Sequence, residues 1–293
     1  NETKSIAVSK EQVWLAYKKV KANQGSAGVD QISMEEFDAQ RSKHLYKLWN
    51  RLASGSYFPP PVKEVEIPKK DGKVRKLGIP TIADRVAQMV VKEYLEARFE
   101  KIFSPNSYGY RPEKSAHQAL EKVRQNCRKT DWVIDLDIKG FFDNIDHERL
   151  MLAVQKHVPE KWCLLYIQRW LTMPVQTKSG ELIQKQGKGT PQGGVISPLL
   201  ANLFLHYAMD KWLEQNHPNV EYVRYADDAI LHCKTKTEAE QTLAALDERM
   251  KACGLELHPE KTKQVYCRDY RRQNTYETVK FDFLGYSFQP RST

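Results

Sequence analysis

Apolar residues recur along the chain with spacings that predict both strands and helices. Residues 132–138 and 222–233 are runs rich in β-branched and aromatic residues, and an acidic pair that suits a tight turn interrupts the second. Apolar positions every three or four residues predict helices over 11–22, 84–103 and 199–213. The elements from 132 onward follow a β-helix-β-β-helix-β order, typical of split βαβ folds in which helices cover one side of an antiparallel sheet.

Two further helices carry N-terminal signals. Ser115 with Gln118, and Thr237 with Glu240, have the spacing of a capping box, in which side chain and backbone bond reciprocally. The second of these helices is expected to end at Gly254, because glycine readily adopts the left-handed conformation that terminates helices.

A basic hairpin is predicted over 62–80, where polar and apolar residues alternate around an Asp-Gly pair. A two-residue turn would pair Lys69 with Val74. A three-residue loop with a left-handed glycine would instead pair Lys69 with Lys73, which puts Lys69 and Arg75 on one face. Two cations so placed could hold a triphosphate, and a solvated basic hairpin is the alternative.

Carboxylates occupy two places where they are unfavourable unless something compensates their charge: an adjacent pair in a turn, and alternate positions of an apolar strand. Asp227 and Asp228 are adjacent, and two carboxylates about 4 Å apart repel by about 4 kcal/mol at the effective dielectric of a protein surface. Asp135 and Asp137 share one face of a strand because side chains alternate. Mg²⁺, which prefers oxygen ligands, would reverse the repulsion. The alternatives are a solvated Asp-Asp turn and an edge strand whose acids face water, and we expect Asp135 to face water.

A glycine-rich segment, 187–198, separates the two acidic stretches. Its glycines allow the backbone to pass close to a ligand, while Ser197 and Pro198 suit the start of a helix. It is not a Walker loop, because the Gly-Lys-[Ser/Thr] ending is absent. Alone, the segment indicates only a flexible loop before a well-capped helix.

The order of these motifs resembles that of reverse transcriptases encoded by group II introns, the maturases. The motifs that carry the resemblance are Asp137-Ile-Lys-Gly-Phe-Phe142-Asp, Thr190-Pro-Gln-Gly-Gly-Val-Ile-Ser-Pro198 and Tyr225-Ala-Asp-Asp228, with further blocks at 73–81, 108–112, 254–262 and 283–286.

The resemblance covers nearly the whole chain and implies an α+β fold, the fingers and palm of a right-hand polymerase. Fingers with an N-terminal extension are expected over 1–112. The palm, an antiparallel sheet of split βαβ type backed by helices, is expected over 113–293, with 147–190 partly packing toward the fingers. Members of the family continue into a helical thumb, which we expect this chain to lack, so the activity of this portion alone stays open.

The resemblance also implies a catalytic site. Asp137, Asp227 and Asp228 would be catalytic and, with the Ile138 carbonyl, would bind two Mg²⁺ ions, for which Mn²⁺ could substitute. Phe142 would exclude a ribose 2′-hydroxyl. The expected nucleotide-binding residues are Lys69, Arg75, Phe142, Gln192 and Lys261, although Lys261 could equally be a solvated surface lysine. The expected RNA-template contacts are Gly25, Gly28, Lys70, Lys73, Lys76 and Arg111, with a plain connector as the alternative for the two glycines.

Composition independently indicates a polyanionic partner. Lys and Arg total 46 against 37 Asp and Glu, a net charge of +9, so nucleic-acid binding should weaken steeply with salt. The sequence shows neither a long apolar span nor an N-terminal leader, and we expect the protein to be located in the cytosol. The 5 cysteines lack the CxxC spacing typical of a zinc site and show no pattern of a disulfide framework. We therefore expect them to act as small buried hydrophobic residues.

The function implied by the resemblance is RNA-directed DNA synthesis that copies group II intron RNA for retrohoming, with intron-RNA binding that assists splicing. The expected partners are the intron RNA, an RNA template with a DNA primer, and dNTPs. A second copy of the chain could also pair with it as a homodimer. A non-catalytic splicing cofactor and an RNA-templated RNA polymerase are the alternatives. The acids together with Phe142 favour DNA synthesis, because an RNA binder needs neither.

Overall fold

The computed structural model describes residues 6–68, 72 and 74–290. Internal contacts divide the chain into two compact units, each made of two segments. The first unit is Asn1–Lys101 with Ile145–Leu200, and the second is Ile102–Asn144 with Ala201–Thr293. The division into fingers over 1–112 and palm over 113–293 stays a prediction.

Helices account for most of the regular structure in both units. The predicted helix over 199–213 is present, but a π-helix at His206–Asp210 interrupts it. The α-helices in chain order are α1 Lys10–Ala22, α2 Met34–Ala39, α3 Arg41–Ala53, α4 Ile82–Phe99, α5 Ala116–Cys127, α6 Phe141–Asn144, α7 His147–Gln155, α8 Lys161–Thr172, α9 Ser197–Leu205, α10 Lys211–Asn216 and α11 Lys236–Ala252.

The strands form two four-stranded sheets and one hairpin within the described residues. The strands in chain order are β1 Val62–Pro68, β2 Val74–Ile79, β3 Trp132–Leu136, β4 Val175–Gln176, β5 Leu182–Ile183, β6 Glu221–Tyr225, β7 Asp228–Cys233, β8 Lys263–Tyr266, β9 Phe281–Phe283 and β10 Tyr286–Phe288.

The second unit contains an antiparallel sheet in the order β6-β7-β3-β8. Numbering its strands by sequence gives 2-3-1-4, the order of a split βαβ fold, so the predicted palm topology is confirmed. β3 is central because it pairs with both β7 and β8. This central position explains why Val133 and Ile134, which point to opposite faces, are both fully buried.

Both faces of this sheet are covered. The π-helix and α11, which belong to the split βαβ unit, lie on one face as expected, whereas α5, which precedes the unit, covers the other. On one face, Ala119 and Val123 of α5 pack with Val133 of β3 in a cluster that also includes residues of β9. On the other face, the Lys236 ammonium of α11 lies over the ring of Trp132. The sheet can be enclosed in this way because its central strands are apolar on both sides.

Two capping signals had different outcomes. Ser115 caps α5 in the predicted capping box with Gln118. The cap predicted at Thr237 is wrong, since α11 is capped by Thr235, whose side chain accepts a hydrogen bond from the Glu238 N–H at 3.1 Å. Both threonines have a glutamate three residues later, and β7 ends early enough for the helix to begin at the first of them.

The β1–β2 hairpin of the first unit has the register of the three-residue loop. Pro68 pairs with Val74 and Ile67 with Arg75, whereas a two-residue turn would have paired Pro68 with Arg75. Gly72 has a φ of +77°, the left-handed conformation expected for that loop. Lys69, predicted to bind the nucleotide, and Lys70 and Lys73, predicted to contact the RNA template, lie outside the described residues.

Within the described ranges, no helix is both long and apolar enough to cross a membrane. Cys163, Cys233 and Cys253 are buried, as expected for small hydrophobic residues, whereas Cys127 and Cys267 are half-buried.

Candidate active site

The acidic pair lies at the tip of the β6–β7 hairpin in the second unit. Tyr225 pairs with Asp228, so the two central residues of the turn are Ala226 and Asp227, and Asp228 begins β7. Ala226 has a φ of +57°, a left-handed conformation that alanine adopts only at a cost. Gly109 lies against this turn, and a side chain there would collide with the main-chain nitrogen of Ala226.

Strand register brings Asp137 to the same tip. Leu136 of β3 pairs with Ala229 of β7, so the next position of this antiparallel ladder sets Asp137 opposite Asp228. Cβ atoms of directly opposed residues lie about 4.5–5.5 Å apart in such ladders. The pKa of Asp228 is raised to about 6 by desolvation and then by the negative charges of Asp227 and Asp137. Residues far apart in sequence therefore form one cluster of like charges.

Asp135 belongs to this cluster, which makes the expectation that it faces water from an edge strand wrong. β3 is a central strand, and Asp135 is half-buried between Ile230 of β7 and Lys263 of β8. Burial, followed by the charge of Asp228, raises the pKa of Asp135 to about 7, and Lys263 partly offsets the rise. Its alternate spacing from Asp137 was the sequence signal for this placement.

The main chain at Asp137 is clamped by the segment that follows α11. The Asp137 carbonyl accepts hydrogen bonds from the His258 N–H at 2.8 Å and the Thr262 hydroxyl at 3.3 Å. The Thr262 oxygen also accepts from the Asp137 N–H at 3.3 Å. Ile138 is buried and forms an isolated bridge with Leu257. The 254–262 motif thus fixes the strand end that carries the predicted catalytic acid.

The donor chemistry of the cluster fits a divalent cation. Carboxylate oxygens are the ligands preferred by hard ions such as Mg²⁺. Burial, and after it the negative charges of the neighbouring acids, raise the pKa values of Asp228 and Asp135, and a bound cation would offset both effects. Within the part of the chain that the structure describes, no three Asp, Glu, His or Cys side chains are already arranged around one ion position. Lys261 provides a cation from the chain itself, with its Nζ 3.6 Å from Oδ2 of Asp137.

Phe142 follows the acidic strand on the short helix α6. Its ring meets that of Phe141 edge-on, with centroids 5.4 Å apart. Phe141 is buried and packs on Phe204, whereas Phe142 is half-buried and keeps part of its ring accessible. Phe141 therefore anchors the pair, and Phe142 is the ring available for contact.

In the first unit, the structure brings together two of the predicted nucleotide-binding residues. The Nε of Arg75 on β2 donates a hydrogen bond of 2.8 Å to the Oε1 of Gln192. The Gln192 carbonyl accepts from the Gly78 N–H at 2.7 Å, so the loop before α9 is pinned to β2. Gly193, with a φ of +110°, lies so close that a Cβ would be 2.7 Å from the Gly78 carbonyl oxygen. These glycines thus serve close backbone packing.

A buried polar network behind this loop was not predicted. Asp84 of α4 is fully buried and accepts hydrogen bonds from the Tyr57 hydroxyl at 2.7 Å, the Trp170 Nε1 at 2.8 Å and the Gln88 Nε2 at 2.9 Å. The Oε1 of Gln88 then accepts from the Ile196 N–H at 3.2 Å. No local pattern distinguishes these residues from ordinary polar positions of a helix.

The two glycines predicted to contact template have structural reasons to be glycine. A Cβ at Gly25 would lie 2.7 Å from the Nη1 of Arg85, and a Cβ at Gly28 would lie 2.7 Å from the main-chain nitrogen of Thr81. Arg85 also donates to the Gln24 carbonyl at 3.3 Å and to the Ser26 carbonyl. Arg85 therefore holds the whole 23–28 loop against the start of α4.

The remaining predicted template contacts make internal interactions. The ammonium of Lys76 lies 3.2 Å from a carboxylate oxygen of Glu64 on the neighbouring strand. The Nη1 of Arg111 donates to the carbonyls of Ser104 at 2.6 Å and Ser107 at 2.7 Å, which closes that loop. Contact of either residue with RNA stays a prediction.

Comparison with known proteins gives concordant matches. Residues 67–288 match the sequence profile described as "Reverse transcriptase (RNA-dependent DNA polymerase)". Protein YkfC of Escherichia coli is 33% identical, covering 83% of this chain and 73% of YkfC. The group II intron-encoded protein LtrA of Lactococcus lactis is 36% identical over 69% of this chain but only 33% of its own length. The structure of telomerase from Candida tropicalis shares the fold, with a TM-score of 0.61 at 14% identity over 78% of this chain and 53% of that one.

Proposed function

The chain belongs to the reverse transcriptase (RNA-dependent DNA polymerase) family, and we propose that it copies group II intron RNA into DNA. The likeness to LtrA, a group II intron-encoded protein, supports the intron as the source of the template. Binding of that intron RNA, to assist its splicing and retrohoming, is part of the same proposal. The net charge of +9 supports a polyanionic partner.

The observation that carries the proposal is the convergence of Asp137 and Asp228 across the β3–β7 ladder, beside Asp227. These three acids would be the catalytic carboxylates and, with the Ile138 carbonyl, would hold two Mg²⁺ ions. Bound ions of this kind lower the pKa of an attacking hydroxyl and neutralise a leaving pyrophosphate. The chain's own part is to hold the carboxylates at rigid strand ends, which minimises reorganisation during the reaction.

Lys261 would act on the leaving pyrophosphate. Its side chain is 56% exposed and its ammonium lies 3.6 Å from the Asp137 carboxylate, so it can reach a bound anion beside the acids without leaving its loop. A lysine supplies a mobile point charge with three donors, which suits a phosphate group that moves as it departs.

Nucleotide recognition would use Arg75 with Gln192, and Phe142. Arg75 can bind a phosphate through its remaining guanidinium N–H groups while its Nε stays bonded to Gln192. Phe142 would exclude a ribose 2′-hydroxyl by its bulk and so select dNTPs. Lys69 is proposed as a second triphosphate ligand from the same hairpin. Template RNA would contact the 23–28 loop at Gly25 and Gly28; the other proposed template residues are Lys70, Lys73, Lys76 and Arg111.

Primer extension on an RNA template tests the proposal directly. We expect extension with dNTPs but not rNTPs, dependent on Mg²⁺, and abolished by Asp227→Asn. Asp247→Asn on α11, a half-buried acid paired with Lys251, makes the same change of charge away from the cluster and is the matched control, expected to extend normally. Binding of intron RNA without extension would instead identify a splicing cofactor, and extension with rNTPs would identify an RNA-templated RNA polymerase.

A further inference from the structure

Arg224, the residue before the Tyr225-Asp228 turn, is a fully buried cation. Its Nε and Nη2 donate to the two carboxylate oxygens of Asp210 at 2.8 and 2.5 Å, which makes a bidentate ion pair. Its Nη1 donates to the Asn202 Oδ1 and to the Ala226 carbonyl, both at 2.9 Å. One guanidinium therefore links the acidic turn to the helix that lies behind it.

The π-helix supplies the anion of this pair. Asp210 is the last residue of the π-helical turn between α9 and α10, and it is fully buried. π-helical turns are rare and occur frequently at functional sites. Asn202, on the preceding α9, also donates from its Nδ2 to the Gly109 carbonyl at 2.8 Å, and Gly109 packs against Ala226. The same buried layer thus contacts the turn from two sides.

The main chain of Arg224 is held independently of its side chain. Its N–H donates to the Asn106 carbonyl at 2.9 Å, and its carbonyl accepts from the Tyr108 N–H at 2.8 Å. The guanidinium is therefore not required for β6 to remain in place. Its specific contribution is the bond to the Ala226 carbonyl, which holds an alanine at a φ of +57°.

We propose that Arg224, oriented by Asp210 and Asn202, is a positioning residue that fixes the Ala226-Asp227 turn and thereby the placement of Asp227 and Asp228 relative to Asp137. This inference rests on the proposed polymerase function, but its physical content is the rigidity of the turn. Asp210 neutralises the guanidinium, so Arg224 supports the turn without acting as a competing cation for the catalytic acids.

Two variants test the proposal by separating charge from geometry. Arg224→Lys keeps the positive charge but cannot contact Asp210, Asn202 and Ala226 at once. Asp210→Asn keeps the shape but weakens the orientation of the guanidinium. A misplaced catalytic group costs about 10²-fold in rate, and we expect a kcat loss of that order in primer extension for Arg224→Lys, with the KM for dNTP changed by less than about twofold. Asp210→Asn should lose less.

Tyr222→Phe is the matched control. Tyr222 is buried on the same face of β6, and its hydroxyl donates to the Ser104 Oγ at 2.7 Å, away from the turn. It tests loss of a buried hydrogen bond without disturbance of Ala226, so kcat should be retained. Adding Ala226→Gly to Arg224→Lys should restore part of the lost kcat, because glycine adopts a positive φ at little cost.

Hydrogen exchange of the amides of residues 226–228 distinguishes failure of this inference from failure of the proposed function. Faster exchange there in Arg224→Lys, but not in Tyr222→Phe, supports the positioning role even if the wild-type chain proves unable to polymerise. Exchange and kcat both equal to wild type in Arg224→Lys would overturn the inference. Equal losses in Arg224→Lys and Tyr222→Phe would also overturn it, because the effect would then be one of general stability.

Discussion

Arg75 and Gln192 are joined by a hydrogen bond of 2.8 Å from the Nε of the arginine to the Oε1 of the glutamine. The bond links the β2 strand to the loop before α9, and Gly78 adds a main-chain bond to the same glutamine. Two residues singled out separately from sequence are therefore one structural pair. Gln192 leaves the planar guanidinium with N–H groups for a ligand while fixing its direction.

Loss of the Gln192 side chain should weaken nucleotide binding by Arg75. We expect Gln192→Ala and Arg75→Lys each to raise the KM for dNTP, and the double variant to be little worse than either single one. Contacting residues typically show coupling energies of about 0.5–3 kcal/mol, and steady-state kinetics of the four proteins measures this coupling. Additive effects would show that the two side chains act independently.

The contribution of the acid cluster to the stability of the fold should fall as pH rises through the range in which its carboxyls ionise. The buried His206 and His232, whose pKa values are lowered by desolvation, contribute in the opposite direction over this range. The pKa of Asp228 is raised to about 6 and that of Asp135 to about 7, from a usual value of 3.8. At these two carboxyls the folded chain therefore binds more protons than the unfolded chain in this window. The stabilisation that these two carboxyls contribute is fully present below their usual pKa and is lost as pH rises toward 7.

Thermal unfolding across this pH range checks that sign. The Tm of Asp228→Asn and that of Asp135→Asn should each rise relative to the wild type as pH rises, whereas the difference between Asp247→Asn and the wild type should not change. Mg²⁺ added at mildly alkaline pH should raise the Tm of the wild type more than that of Asp228→Asn, because the ion relieves repulsion that the variant has already reduced. A difference in Tm between the wild type and Asp228→Asn that stays constant from acid to neutral pH would contradict the prediction.

Replacement of Phe142 should weaken discrimination between sugars. Phe142→Ala removes the accessible ring but leaves Phe141, which carries the packing, so we expect the ratio of kcat/KM for dNTP over rNTP to fall by at least about tenfold. Single-nucleotide incorporation assays measure the ratio directly. Phe58→Ala removes another exposed ring, 67% accessible, and should leave the ratio unchanged.

Gln88→Leu should destabilise the first unit and loosen the loop before α9. The substitution leaves the Ile196 N–H and an oxygen of Asp84 without their partner, and an unsatisfied buried polar group costs about 1–3 kcal/mol. Denaturant unfolding measures the loss. Gln168→Leu, the same change at an exposed position of α8, should alter stability by no more than about 0.5 kcal/mol.

The elements that form from residues close together in the chain could be predicted from the sequence. The hairpin of β6 and β7, the capping box of Ser115 and the split βαβ order all follow from alternation, spacing and turn chemistry. Both loop lengths satisfied the alternation of β1 and β2, and only the family resemblance favoured the three-residue loop, whose register the structure has. Asp135 was misjudged because a strand's place in a sheet depends on its partners, and β3 proved to be central.

Long-range polar pairs were beyond the reach of the sequence. Nothing near Arg224 in the chain indicates that Asp210 neutralises it, and nothing near Gln88 indicates that it caps the Ile196 N–H. These bonds form only once helix and strand have packed, and their partners look like surface residues in a linear pattern. The proposed catalytic acids stand out in the sequence because adjacent and alternating carboxylates within apolar strands are unusual, whereas the residues that support them are ordinary ones.

The π-helical turn at His206–Asp210 imposes a constraint on the length of the chain. Asn202 and Asp210 are eight positions apart, and at about 100° per residue a regular α-helix would turn Asp210 about 80° away from Asn202. The wider π-helical turn takes up one residue, so both side chains can meet one guanidinium. A homologue that has lost one residue here should therefore have a regular α-helix and keep the Arg224–Asp210 pair, whereas insertion of one further residue should separate the two partners.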